Sequence, residues 1–117
     1  MTWVRALAQS ELAVGQARAV SVQNEELLLC RVSETEVFAI ENQCSHDDGP
    51  LTEGALDGRI IECPRHGARF DVSTGAVTRL PAAAPLPTFA TRLQEGWIEV
   101  ALDPIENTRG PGDGKES

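Results

Sequence analysis

Cys44-Ser45-His46-Asp47-Asp48-Gly49-Pro50-Leu51 and, further on, Cys63-Pro64-Arg65-His66-Gly67 decide how this chain is read. Its two histidines each sit close behind a cysteine, and sixteen residues separate His46 from Cys63. In extended backbone, residues i and i+2 project to one face, so Cys44 and His46 can address a single centre together. A tighter turn through Pro64 can bring Cys63 and His66 to the same centre. Two thiolates and two imidazoles make a four-ligand set. Such a set suits either a tetrahedral zinc ion or a two-iron cluster in which each iron takes two protein ligands. Zinc modules usually use like pairs, C-x₂₋₄-C and H-x₃₋₅-H, but residue type alone leaves both metals open.

Around these motifs, residues 42–87 are crowded with Gly, Pro, Asp, His and Cys, a loop-rich texture that buries little apolar surface of its own. On either side the chain runs in short segments rich in Val, Ile, Leu and Thr, broken by Gly, Pro, Asn or Asp about every ten residues. That is the pattern of an all-β sandwich or barrel. Strands are expected at 3–7, 17–22, 26–32, 36–40, 59–62, 88–94 and 97–102, with Glu95-Gly96 as the last hairpin turn. Ser10 is expected to cap one short helical turn. The stretch 103–117 (DPIENTRGPGDGKES) has one large apolar residue, which predicts a disordered tail after a single domain of residues 1–102.

Composition narrows the function. A chain of 117 residues with a formal charge of -8 repels phosphate backbones and anionic lipid, so neither nucleic acid nor membrane is an expected partner. Five aromatics (Trp3, Phe38, Phe70, Phe89, Trp97) are too few for single-strand stacking platforms. No segment is apolar enough to span a bilayer or to serve as a signal peptide, so a cytoplasmic location is expected. Three cysteines without a secretory signal argue against a disulfide framework and for metal binding. Cys30, within Leu27-Leu28-Leu29-Cys30-Arg31-Val32 and with no ligand partner nearby in sequence, is expected in the core. No Ser-His-Asp set, phosphate-cradling glycine loop or H-E-x-x-H helix occurs, and no catalytic residue is assigned.

The full context, Cys44-Ser45-His46 with Gly49-Pro50-Leu51, then Cys63-Pro64-Arg65-His66-Gly67, then Phe70-Asp71 and Gly75, closely resembles the Rieske ferredoxin family over residues 1–102. The resemblance implies a Rieske-type antiparallel β-sandwich or barrel with a cluster-binding subdomain at about 42–87, and one [2Fe-2S] cluster. It implies that Cys44 and Cys63 hold one iron as thiolates while His46 and His66 hold the other. Gly67 would let the second ligand loop run close to the first, and Pro81, Pro85 and Pro87 would form a proline loop shielding the cluster. The implied role is a soluble, monomeric one-electron carrier between a reductase and a terminal non-haem iron oxygenase of the aromatic-ring dioxygenase kind. It is not itself an enzyme, since one domain leaves no room for a mononuclear iron site. Other readings are a Rieske-like small subunit or regulatory module of a larger oxidoreductase such as nitrite reductase, and a zinc-stabilised binding module.

Donors aimed at cluster sulfurs favour the reduced, more negative state and raise the potential. High-potential relatives in cytochrome bc complexes carry a serine and a tyrosine where this chain has Ala68 and Phe70, and loop-bridging cysteines where it has Gly49 and Arg65. The resemblance therefore implies a low potential, about -150 mV. Arg65 and Arg69 are candidates either for an acidic partner rim or for plain solvation. Asp47 and Asp48 are either turn residues or neighbours that raise a histidine's proton affinity. Asp71 is expected to fix a loop by accepting hydrogen bonds.

Overall fold

The computed structural model describes residues 2–45, 47, 49–65, 67–79 and 84–105. Ten strands run in chain order: β1 (Trp3–Ala8), β2 (Ala17–Val22), β3 (Glu25–Arg31), β4 (Val37–Glu41), β5 (Ala55–Asp57), β6 (Ile60–Glu62), β7 (Arg69–Asp71), β8 (Val77–Arg79), β9 (Thr88–Gln94) and β10 (Trp97–Ile105). Six form one antiparallel sheet in the order β1-β10-β9-β4-β3-β2, and the sheet curls until its edge strands β1 and β2 approach each other, a near-barrel. The other four form a small antiparallel sheet, β5-β6-β7-β8. No helix among the described residues is long and apolar enough to cross a membrane.

Two-residue hairpin turns set the register of the barrel. Gln23-Asn24 joins β2 to β3 with φ of 50° and 71°, and Glu95-Gly96 joins β9 to β10 with φ of 53° and 85°. Both central residues of such a turn need positive φ, because only that twist matches the right-handed twist of the strands. The helical turn expected around Ser10 is a single 3₁₀ turn at Gln9–Glu11, with Ala8 at its N-cap position and no side-chain cap bond. Ser10 therefore lies inside the turn and caps nothing.

β3 is the wall between two cores. Leu27, Leu28, Leu29 and Cys30 are all fully buried, because alternate side chains leave the strand on opposite faces and both faces are covered. Leu27 and Leu29 pack inside the barrel with Leu12, Val37, Ile98 and Val100. Leu28 and Cys30 pack the other way, with Ile40, Leu51, Ile61, Phe70 and Leu86, under the small sheet. Each such leucine contributes about 1.5–3 kcal/mol on burial, so the second core anchors a region whose own strands are only three residues long.

The last strand was expected at 97–102, but β10 continues to Ile105, pairing Pro104 with Phe89 and Ile105 with Thr88 after a bulge. β1 pairing stops at Trp3 and Ala101, so among the described residues the end of β10 pairs with β9 alone, an edge-like position that tolerates Pro104. Residues 106–117 of the expected tail lie outside the described residues.

Candidate metal centre

Two loops carry the motifs. The first leaves β4 and turns back before β5; the second links β6 to β7. Each is closed the same way, by a cysteine amide donating to a carbonyl five residues on: Cys44 to Gly49 at 2.7 Å and Cys63 to Ala68 at 2.7 Å. The first loop is braced further by Asn42, whose Oδ1 accepts the Leu51 amide (2.8 Å) and whose Nδ2 donates to Thr52 Oγ1 (2.8 Å). In the second, the Gly67 amide returns to the Cys63 carbonyl at 3.1 Å.

Glycine matters at both Gly67 and Gly49. The Gly67 φ of +79° demands glycine, and among the described residues a Cβ there would meet Glu62 Oε2 at an ordinary 3.5 Å. Close approach between the described parts of the two loops occurs at Gly49, where a Cβ would stand 2.7 Å from Cζ of Arg65.

The proline-rich segment is tied to both sheets. The Ala84 amide donates to Ser45 Oγ (3.2 Å), the Leu86 amide to the Gly75 carbonyl (2.8 Å), and the Pro87 carbonyl accepts the Glu41 amide (3.1 Å). Leu86 is buried in the core that holds Cys44 and Cys63. Pro85 and Pro87 thus lie beside the ligand loops, and Pro81 lies outside the described residues. Asp71 accepts from the amide (2.8 Å) and hydroxyl (2.6 Å) of Ser73, the loop-fixing part expected of it.

Cys44 and Cys63 are both buried, and neither forms a disulfide. Their Sγ atoms and a carboxylate oxygen of Asp47 all lie within 4.8 Å of one another. A tetrahedral metal with bonds of about 2.3 Å holds two thiolates ~3.8 Å apart, a separation inside that 4.8 Å limit. Asp47 is engaged elsewhere: its carboxylate takes Nε and a terminal nitrogen of Arg65 at 2.6 and 3.0 Å and the Gly49 amide at 3.0 Å. The remaining Arg65 donor bonds the Pro50 carbonyl at 2.8 Å. The hydrogen bond to Asp47 raises the Arg65 pKa above its already high ordinary value. His46, His66 and Asp48 lie outside the described residues.

Arg65 and Arg69 are both paired within the chain, Arg69 with Glu62 at 3.1 Å. Sequence reasoning named Asp47 and Arg65 separately and missed their partnership; opposite charges beside the two ligand pairs were the available signal. Cys30 sits in the core as expected, 0% exposed, and burial pushes its thiol from 9.0 up to about 12.

Comparison with known proteins agrees with this architecture. The ferredoxin component of the naphthalene 1,2-dioxygenase system of Pseudomonas putida is 37% identical over 101 residues, covering 86% of this chain and 94% of that one. The ferredoxin of carbazole 1,9a-dioxygenase from Nocardioides aromaticivorans IC177 superposes with a TM-score of 0.81 at 36% identity, over 86% of this chain and 98% of that one. A ferredoxin solved in complex with the reduced oxygenase of carbazole 1,9a-dioxygenase matches at the same TM-score of 0.81 and 36% identity, over 88% and 95%. Residues 2–90 match the Rieske [2Fe-2S] domain, and on these grounds the chain belongs to the Rieske [2Fe-2S] domain family.

Proposed function

We propose that this protein is the one-electron ferredoxin component of a multicomponent oxygenase system. It carries electrons from a reductase to a terminal non-haem iron oxygenase that acts on an aromatic ring. The observation that carries the reading is the convergence of the Cys44 and Cys63 thiols, buried within 4.8 Å of each other on two separately braced loops. Similarity to dioxygenase ferredoxins over nearly their whole length supports the partner assignment.

Cys44 and Cys63 would hold one iron and His46 and His66 the other. When bound, the cluster supplies a site that accepts and returns a single electron. The residues around it keep that site nearly unchanged between its two states. The closed cysteine loops, the Asn42 brace and the tethered segment 84–87 limit rearrangement, and Leu86 and Phe70 exclude water from the sulfur side. We assign the protein as a monomer in the cytoplasm.

Protein prepared anaerobically, then loaded with iron and inorganic sulfide, tests the reading. Dithionite reduction is expected to give a paramagnetic signal with nitrogen couplings from two imidazoles, which His46→Ala and His66→Ala each abolish. Full couplings in either variant, or a colourless wild-type protein that takes up no iron and sulfide, would overturn it.

A further inference from the structure

Resting on that carrier reading, we propose that Arg65 and Asp47 form a charge-neutral clip that holds the two cysteine loops together and sets the charge beside the thiolates. Arg65 belongs to the second loop, yet among the described residues its hydrogen bonds, two to Asp47 and one to the Pro50 carbonyl, end on the first. Their directions fix the guanidinium plane as well as its position, which a single-point contact would not do. The plane lies across Gly49, at the spot a Cβ would fill. Asp47 is held in turn by the Gly49 amide, so carboxylate and guanidinium are both oriented before any partner is met.

The second consequence is electrostatic. A carboxylate oxygen within 4.8 Å of both sulfurs repels any further negative charge placed there, and Arg65 cancels it. Arg65 is therefore a positioning residue whose charge also bears on the potential. Removing it alone takes away a positive charge beside the sulfurs and disfavours the reduced state. Removing the Asp47 charge alone leaves a cation and favours the reduced state. Removing both restores neutrality without restoring the clip.

The test compares loaded wild-type protein with R65M, D47N, the double variant D47N/R65M and R65K. Cluster loss to a chelator is expected to be about tenfold faster in R65M and in the double variant, and intermediate in R65K. The midpoint potential is expected to fall in R65M, rise in D47N, and return close to wild type in the double variant and in R65K. Equal cluster loss in wild type and R65M would overturn the clip, and shifts of R65M and D47N in the same direction would overturn the charge compensation. Should a variant not load, alkylation of Cys44 and Cys63 in the metal-free full chain decides, read residue by residue by mass spectrometry with circular dichroism to verify the fold. About tenfold faster labelling in R65M supports the clip, and equal rates overturn it. Failure of wild-type protein to load would instead sink the carrier reading, leaving the labelling comparison to judge the clip by itself.

Discussion

The Leu86 carbonyl oxygen occupies the volume that a side chain at Gly75 would need, while the Gly75 carbonyl accepts the Leu86 amide at 2.8 Å. The turn between β7 and β8 and the proline-rich segment are thereby pressed together backbone to backbone. Gly75 also has φ of +80°, which a side chain disfavours by about 1–2 kcal/mol. Displacing Leu86 adds about 1–3 kcal/mol of overpacking. Gly75→Ala is expected to lower the thermal midpoint markedly and to speed cluster loss, because Leu86 is part of the core around Cys44 and Cys63. An unaltered midpoint would show that the segment can shift without cost.

Cys30 gives a pH dependence with a definite sign. Its thiol is held neutral by burial, with the pKa raised from 9.0 to about 12, so above pH 9 the unfolded chain gives up a proton that the folded one keeps. The stabilisation is complete below pH 9 and declines as pH rises toward 12, by about 1.4 kcal/mol per pH unit. Denaturant titrations of wild type and Cys30→Ala between pH 8 and about 11 should show the steeper decline in wild type. Iron and sulfide content should be the same in both, since Cys30 is not in the proposed ligand set.

The potential should lie near the low end for this cluster type, about -150 mV. Ala68 and Phe70 are both fully buried beside the second cysteine loop and neither side chain can donate a hydrogen bond. Ala68→Ser adds a donor there and is expected to raise the midpoint measured by film voltammetry. A wild-type value well above zero would contradict this reading.

Salt should slow delivery of electrons. With a net charge of -8, docking to basic partner surfaces is steered over distances of about 10 Å at 0.1 M salt and only ~3 Å at 1 M. Stopped-flow reduction by the cognate reductase is expected to slow steadily across that range. A rate independent of salt would remove steering as a factor.

Much of the site could be read from residue types. Cys44 and Cys63, which the structure brings together, stand out because soft thiolates have little other use in loops this poor in apolar residues; His46 and His66, named with them, lie outside the described residues. The long strands were legible as well, since runs of five to nine residues rich in Val, Ile, Leu and Thr stand out between turn residues. β5, β7 and β8 were not, because three residues hold barely one period, and their order comes from covering the second core.

What the sequence determined by itself is the donor chemistry, the loop-rich character of 42–87, the β class and the hairpin at Glu95-Gly96, all properties of residue identity and near-neighbour spacing. Only the tertiary structure decided that β3 is buried on both faces, that Gly49 lies against Arg65 of the other loop, and that Arg65 bonds Asp47 eighteen positions away. Those outcomes depend on how two loops dock, and docking is set by distances between residues far apart in the chain, which no local pattern encodes.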